Sequence, residues 1–188
     1  MMKKLLLLFA FIGIGLTTIN AQDISFGVKA GPNIANLTGY DVYSVSGRIS
    51  YHLGAVVNVE FSDIIALQPE LVYSSQGYKA EDSGIDVKGV LDYVNIPIMV
   101  DFTLTEGFSL QGGPQVGINV SAKEKEDGES VDIENVETLD LAVAGGIQYK
   151  LPVGLFFQAR YTAGILKVVK DVDVKNSVIS ASVGWFFN

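Results

Sequence analysis

Few residues in this 188-residue chain have the types and spacing that chemistry requires, and its single histidine is the first of them. An imidazole beside a serine or an acid can serve as a general base and activate a nucleophile. His52 comes to lie opposite Ser74 if the segments around them pair through a short turn near Ser62 and Asp63. No carboxylate is placed to orient the ring, and Ser and Asn crowd the equivalent positions, so the expected role is a hydrogen-bonded filler and not a catalytic base. A second set is ionic. Lys29, Glu60, Glu70, Asp101, Lys150 and Arg160 each stand singly among Gly, Ser, Asn and Gln, with Asn95 and Gln115 at comparable places. Buried together, such charges must pair or be neutralised and would form a salt-bridge and hydrogen-bond network. Lining an opening, they would set its selectivity. The third set is the segment KEKEDGESVDIENVE, residues 123–137, with seven carboxylates against two lysines. Its spacing lacks the pattern of a calcium loop, so a solvated, mobile surface loop is expected, with divalent bridging to lipid phosphates as the functional alternative. Gly112-Gly113 and Gly145-Gly146 precede no helix and cradle no phosphate. No metal and no cofactor is expected.

What must position these residues is a two-residue alternation that runs almost the length of the chain, with the helical period nearly absent. It marks eight segments, near 23–36, 50–61, 65–75, 91–104, 108–121, 139–150, 153–165 and 178–187. In the second, Tyr51, Leu53, Ala55 and Val57 share one face while His52, Gly54, Asn58 and Glu60 share the other. The connections alternate in length. Three are short, at Ser62-Asp63, Thr105-Glu106-Gly107 and Leu151-Pro152, and four are long, at 37–49, 76–90, 122–138 and 166–177. Short turns on one side, long loops on the other and an even strand number predict an all-β fold, an eight-stranded antiparallel up-and-down transmembrane β-barrel. The interior of such a barrel is just wide enough for side chains to fill, so the charged set is expected to plug a polar lumen, a pore lining being the alternative. Phe26, Phe61, Phe102, Phe108, Tyr149, Phe157, Trp185 and Phe187 fall on the apolar face near the short turns, where a membrane interface selects large rings. Pro69, Pro97 and Pro114 lie inside predicted strands, each removes a ladder donor, and bulges or locally irregular pairing are expected there.

Bulk composition agrees with an exported barrel. Residues 1–21 read as a cleaved signal peptide: Lys3 and Lys4, an apolar run from Leu5 to Leu16, and Ile19-Asn20-Ala21 before Gln22. That leaves 22–188 as an outer-membrane β-barrel domain. Without Lys3 and Lys4, 11 basic residues face 21 acidic ones, which argues against a nucleic-acid partner because phosphate binding needs clustered Lys and Arg. There is no Cys, hence no disulfide framework and no lipid-anchoring thiol. The chain is 48% hydrophobic, yet beyond the leader no apolar run could cross a bilayer as a helix.

The runs Gly27-Val28-Lys29-Ala30-Gly31, Leu67-Gln68-Pro69-Glu70-Leu71 with Gln76-Gly77, Tyr93-Val94-Asn95-Ile96-Pro97, Gly112-Gly113-Pro114 and Ala159-Arg160-Tyr161 resemble, in order and spacing, the PorT-like (porin-type) outer-membrane β-barrel family. That family is a relative in architecture of the small OmpA and OmpX barrels. The resemblance implies the fold and a place in the Gram-negative cell envelope, and it supplies no catalytic motif and no ligand. It also implies recognition by the barrel-assembly machinery through a terminal aromatic. Here the chain departs, ending Trp185-Phe186-Phe187-Asn188 with Phe187 still in the outward register. The expected function is a non-catalytic structural or interaction barrel that contacts outer-membrane lipid, its surface partner unknown. A narrow channel or small-solute binder, a lipid-modifying enzyme and a soluble lipocalin-like carrier are the alternatives.

Overall fold

The computed structural model describes residues 23–39, 45–82, 85–126, 129–133, 135–170 and 172–187. The signal-peptide segment and Asn188 lie outside the described residues. The strands are β1 (Asp23–Gly39), β2 (Val45–Ser62), β3 (Ile65–Asp82), β4 (Ile85–Thr105), β5 (Phe108–Glu126), β6 (Glu129–Asp132), β7 (Leu139–Lys150), β8 (Leu155–Gly164) and β9 (Val174–Phe187). Eight of them close a ring in which every neighbour is antiparallel: β1, β2, β3, β4, β5, β7, β8 and β9, which returns to β1. The short β6 stands apart from the ring and extends the upper end of β5 as a hairpin. Asp63-Ile64, Glu106-Gly107 and 151–154 turn at one end, where Phe26 of β1 also pairs with Phe187 of β9.

Alternation decides the two faces. Along β1, Phe26, Val28 and Ile34 are exposed on the outside, while Gly27, Lys29, Asn33, Ala35 and Leu37 are buried on the inside. The outward apolar positions of β1 run from Ile24 to Ile34. At about 3.3 Å per residue and a tilt of about 40° they cover close to 25 Å, the height of a lipid-facing band. The exposed hydrophobic surface is therefore the solvent-matched face of a membrane protein and not a defect of packing.

One expectation is corrected. Three of the four long connections are largely strand and not loop, whereas of 166–177 only Val174–Ser177 is strand. β1 continues to Gly39, β2 begins at Val45, β3 reaches Asp82, β4 starts at Ile85, and the acidic segment contributes Lys123–Glu126 to β5 and Glu129–Asp132 to β6. Hydrogen-bonded hairpins continue past the apolar band because alternation of polar with polar residues carries no hydrophobic signal. At Pro69, Pro97 and Pro114 the expected irregularity takes the form of locally interrupted pairing and not of a bulge. The irregularities of register fall instead at Gly47/His52, Glu60/Ser62, Asp92/Tyr93 and Thr103/Thr105.

At each proline the ladder lapses on one side without losing register. Pro69 pairs with Ile98 of β4, whereas the pairing with β2 skips from Val56–Glu70 to Val59–Leu67. Pro97 keeps Gln115 of β5 and lapses against β3, and Pro114 keeps Val143 of β7 and lapses against β4. Pro32 repeats this, paired with Tyr51 of β2 and lapsed against β9. A strand residue directs its N–H to one neighbour only, so a proline costs one side of the ladder and no inserted residue is required. Two of these sites are Gly-Pro pairs. A Cβ at Gly31 would collide with the carbonyl oxygen of Ala181, and one at Gly113 with that of Ile98. Glycine lets the opposing backbones approach there.

Gly113→Ala should therefore impair barrel closure, while Gly112→Ala, whose added methyl meets nothing within 4 Å, should not. The check is the fraction of refolded protein that migrates differently on gels with and without boiling, and equal yields for the two variants would refute the assignment.

Candidate functional site

The interior is the place where the polar residues converge, and Glu70 is its centre. Its side chain is fully buried on the inner face of β3. Oε2 accepts from Lys29 Nζ of β1 at 2.7 Å and from Arg160 Nη1 of β8 at 2.8 Å. Oε1 accepts from Arg160 Nη2 at 2.8 Å and from Gln68 Nε2 at 2.8 Å. The guanidinium thus grips the carboxylate with two parallel bonds, the strongest geometry open to this pair. Three widely separated strands are tied together by one carboxylate.

Two cations against one carboxylate would leave a buried positive charge, and Asp101 supplies the second negative one. It joins through glutamines: Arg160 Nη2 donates to Gln111 Oε1 at 3.0 Å, and Gln111 Nε2 donates to Asp101 Oδ1 at 2.8 Å. Gln148 Nε2 reaches Asp101 Oδ2 at 3.2 Å, and Gln158 accepts from Lys29 at 2.8 Å while donating to Gln111 at 2.7 Å. Amides can donate and accept together, so they relay polarity across a gap that ion pairs alone would not span.

His52 occupies a separate level. Asn33 Nδ2 donates to Ser74 Oγ and to the carbonyls of Tyr51 and Ser75, which turns its Oδ1 toward the ring. His52 Nδ1–H donates to that oxygen at 2.8 Å, leaving Nε2 to accept from Ser182 Oγ at 2.8 Å. Ser74 is the register partner of His52 on β3 but not its hydrogen-bond partner, because a third strand, β9, offers Ser182 across the lumen. An Asn–His–Ser chain has the polarity that activates a hydroxyl, but a substrate must reach the oxygen. Ser182 is 4% exposed, and the neighbouring cavity, lined by His52, Asn95, Gln115 and Arg160, holds about 30 Å³, room for a water or two.

Buried apolar clusters lie at both ends of this polar column. Toward the short turns Val56, Phe156 and Phe186 are buried together, the two rings 4.7 Å apart. Lys150 Nζ lies 5.6 Å from the Phe186 ring and bonds Glu60 at 2.7 Å, a half-exposed pair at the rim and apart from the central cluster. At the other end Leu37, Leu91, Tyr93, Val168 and Val174 form a cap. Val168 is brought there by the segment after β8, which bonds Glu137 N–H and pairs Val169 with Val136.

Of the nine polar residues expected inside, Lys29, Glu70, Asp101 and Arg160 come together. His52, Asn95 and Gln115 are buried elsewhere in the lumen, and Glu60 and Lys150 sit at its mouth. Asn95 Oδ1 has no partner among the described residues. The glutamines were on the correct face by alternation, yet nothing local marked them as the bridges. Val56, Phe156 and Phe186 broke the alternation as apolar residues at inward positions, the local sign of this cluster. Phe26, Phe61, Phe102, Tyr149, Phe157, Trp185 and Phe187 are exposed on the outside near the short turns, with Phe108 partly covered among them.

Glu70→Gln should destabilise the barrel by about 3–5 kcal/mol, since two cations would then stay buried with one carboxylate between them. Glu60→Gln should cost under about 1 kcal/mol because its pair is solvated. Urea unfolding in lipid vesicles measures both, and equal effects would remove Glu70 from the centre of the network.

Known proteins place this arrangement. The chain is similar in fold to the attachment invasion locus protein Ail of Yersinia pestis, with a TM-score of 0.58 and 21% identity, covering 87% of this chain and 98% of that one. It is likewise similar to Neisserial surface protein A of Neisseria, with a TM-score of 0.60 and 18% identity over 88% and 99% of the two chains. No curated protein matches the sequence. Residues 20–170 match the family model described as outer membrane protein beta-barrel domain. With the closed eight-strand ring, the lipid-compatible outer face and this match over most of its length, the chain belongs to the outer membrane protein beta-barrel domain family.

Proposed function

We propose that this protein is a non-catalytic barrel with a closed lumen, acting in the outer membrane through its outer wall and its long-connection end. The observation that carries the reading is the filling of the interior at three successive levels: Val56, Phe156 and Phe186 below, the Lys29–Glu70–Arg160 cluster in the middle, and the Val168 cap above. A conducting pore needs a continuous water path, and an eight-stranded interior loses it once side chains pair across it. The charges then serve cohesion and not selectivity.

In this proposal the short turns face the periplasm and the extended hairpins face outward. Phe26, Phe61, Phe102, Phe108, Tyr149, Phe157, Trp185 and Phe187 form the periplasmic interfacial belt. Residues 1–21 direct export, Phe187 presents the outward aromatic to the assembly machinery, and the motif order assigns the chain to the PorT-like branch. Support for a surface role comes from the wall itself, because β3, β4 and β5 run well beyond the 9–11 residues that a crossing strand needs.

The refolded protein should show a heat-modifiable band and no steady conductance in planar bilayers. Regular current steps that Arg160→Gln alters would replace this reading with a narrow channel lined by the same charges.

A further inference from the structure

The outer wall just above the lipid band carries a row of like charges that folding alone would avoid. Lys79 of β3 is the direct register partner of Lys88 of β4, which is in turn the partner of Lys125 of β5. Lys123, two residues before Lys125 on β5, pairs with Val90 of β4 and Asp132 of β6. All four lysines are exposed, and none makes an ion pair with another described residue. Like charges directly opposite across a sheet destabilise it. The like-charge pairs in direct register are Lys79–Lys88 and Lys88–Lys125, while Asp132 stands opposite Lys123 and Glu81–Asp86 is the next pair on the same face of β3 and β4.

Register decides which way the row points. Tyr78, Gly89 and Glu124 form the adjacent row, and there Tyr78 packs on the interior cap and donates to Glu124 at 3.5 Å. That row faces inward, so the lysine row faces outward, away from the lumen and over the membrane. Height follows from β5. Val120, 54% exposed, is its last outward apolar side chain, and Lys123 and Lys125 stand three and five residues beyond it. With about 3.3 Å per residue and a tilt of about 40°, this is roughly 8 to 13 Å above the apolar band. A headgroup layer of about 5–8 Å per leaflet lies beneath and beside such a row, within the reach of lysine side chains.

Resting on the orientation proposed above, with the extended hairpins outward, we propose that Lys79, Lys88, Lys123 and Lys125 form a binding surface for the phosphate groups of the outer-leaflet glycolipid. Lateral orientation favours a membrane-borne anion over a soluble one, because the row looks along the bilayer surface. Bound phosphates would remove the like-charge cost that the empty row imposes.

The test uses the mature barrel refolded in detergent, its folding verified by heat-modifiable migration, titrated with bis-phosphorylated lipid A and followed by native mass spectrometry. Removing the lipid phosphates should weaken binding at least about tenfold, and the combined Lys79→Gln, Lys88→Gln, Lys123→Gln and Lys125→Gln variant should bind phosphorylated lipid A no better than that. Lys167→Gln, Lys170→Gln and Lys175→Gln together should leave binding unchanged. Without lipid, the four-lysine variant should unfold at a urea concentration equal to or above that of the parent protein. Parent-like lipid binding by that variant would overturn the proposal, as would a lower urea midpoint. Equally tight binding of soluble inositol hexakisphosphate through the same lysines would transfer the site to a soluble polyanion.

Discussion

Every backbone donor and acceptor that crosses lipid must find its partner inside the protein, and this one requirement organises the molecule. A sheet meets it only by closing on itself, which is why β1 pairs with both β2 and β9 and why the termini of the ring lie together. Closure also fixes which side chains face lipid and which face one another. The four strand prolines test the rule. Each surrenders one side of the ladder while the other side keeps register, and glycines at 31 and 113 bring the opposing carbonyls close at two of those gaps. The wall tolerates isolated lapses because the pairs above and below them hold the strands in place.

Closure creates a second problem, since an interior too narrow for bulk water must be filled by side chains that satisfy each other. The solution here is charge neutrality at short range: Lys29 and Arg160 against Glu70, with Asp101 connected through Gln111 and Gln148. Buried ion pairs gain little over an apolar filling in net stability, but they leave a heavy penalty for any arrangement that separates the partners. The network therefore specifies which strands face each other across the lumen. Phe156 and Phe186 are buried with Val56 toward the short turns, and Val168 is buried in the apolar cluster at the far end.

Outside the apolar band the constraint relaxes, and the wall continues in β3, β4 and β5 with polar alternation. Freed from lipid, these strands carry residues that a folding argument would not choose. The in-register lysines are the clearest case, a local conflict placed beyond the outward apolar band. Conflicts of this kind concentrate where a protein meets something else.

The amino-acid order by itself determined the strand number in the ring, the side of each membrane-crossing residue and the places of the three turns at one end. A period of two is a local property, and burial against lipid makes it visible in Val94, Ile96, Ile98 and Val100 as plainly as in any single strand. It also placed Lys29, Glu70 and Arg160 on the inner face. Only the tertiary structure decided that these three meet in one cluster, that Glu60 and Lys150 stand apart at the rim, and that His52 binds Ser182 and not Ser74. Only it showed that the acidic segment is a hairpin whose lysines face outward. The reason is geometric. Alternation tells on which side of the wall a residue lies, whereas contact across the lumen depends on the stagger and tilt of strands far apart in the chain, which no local pattern encodes.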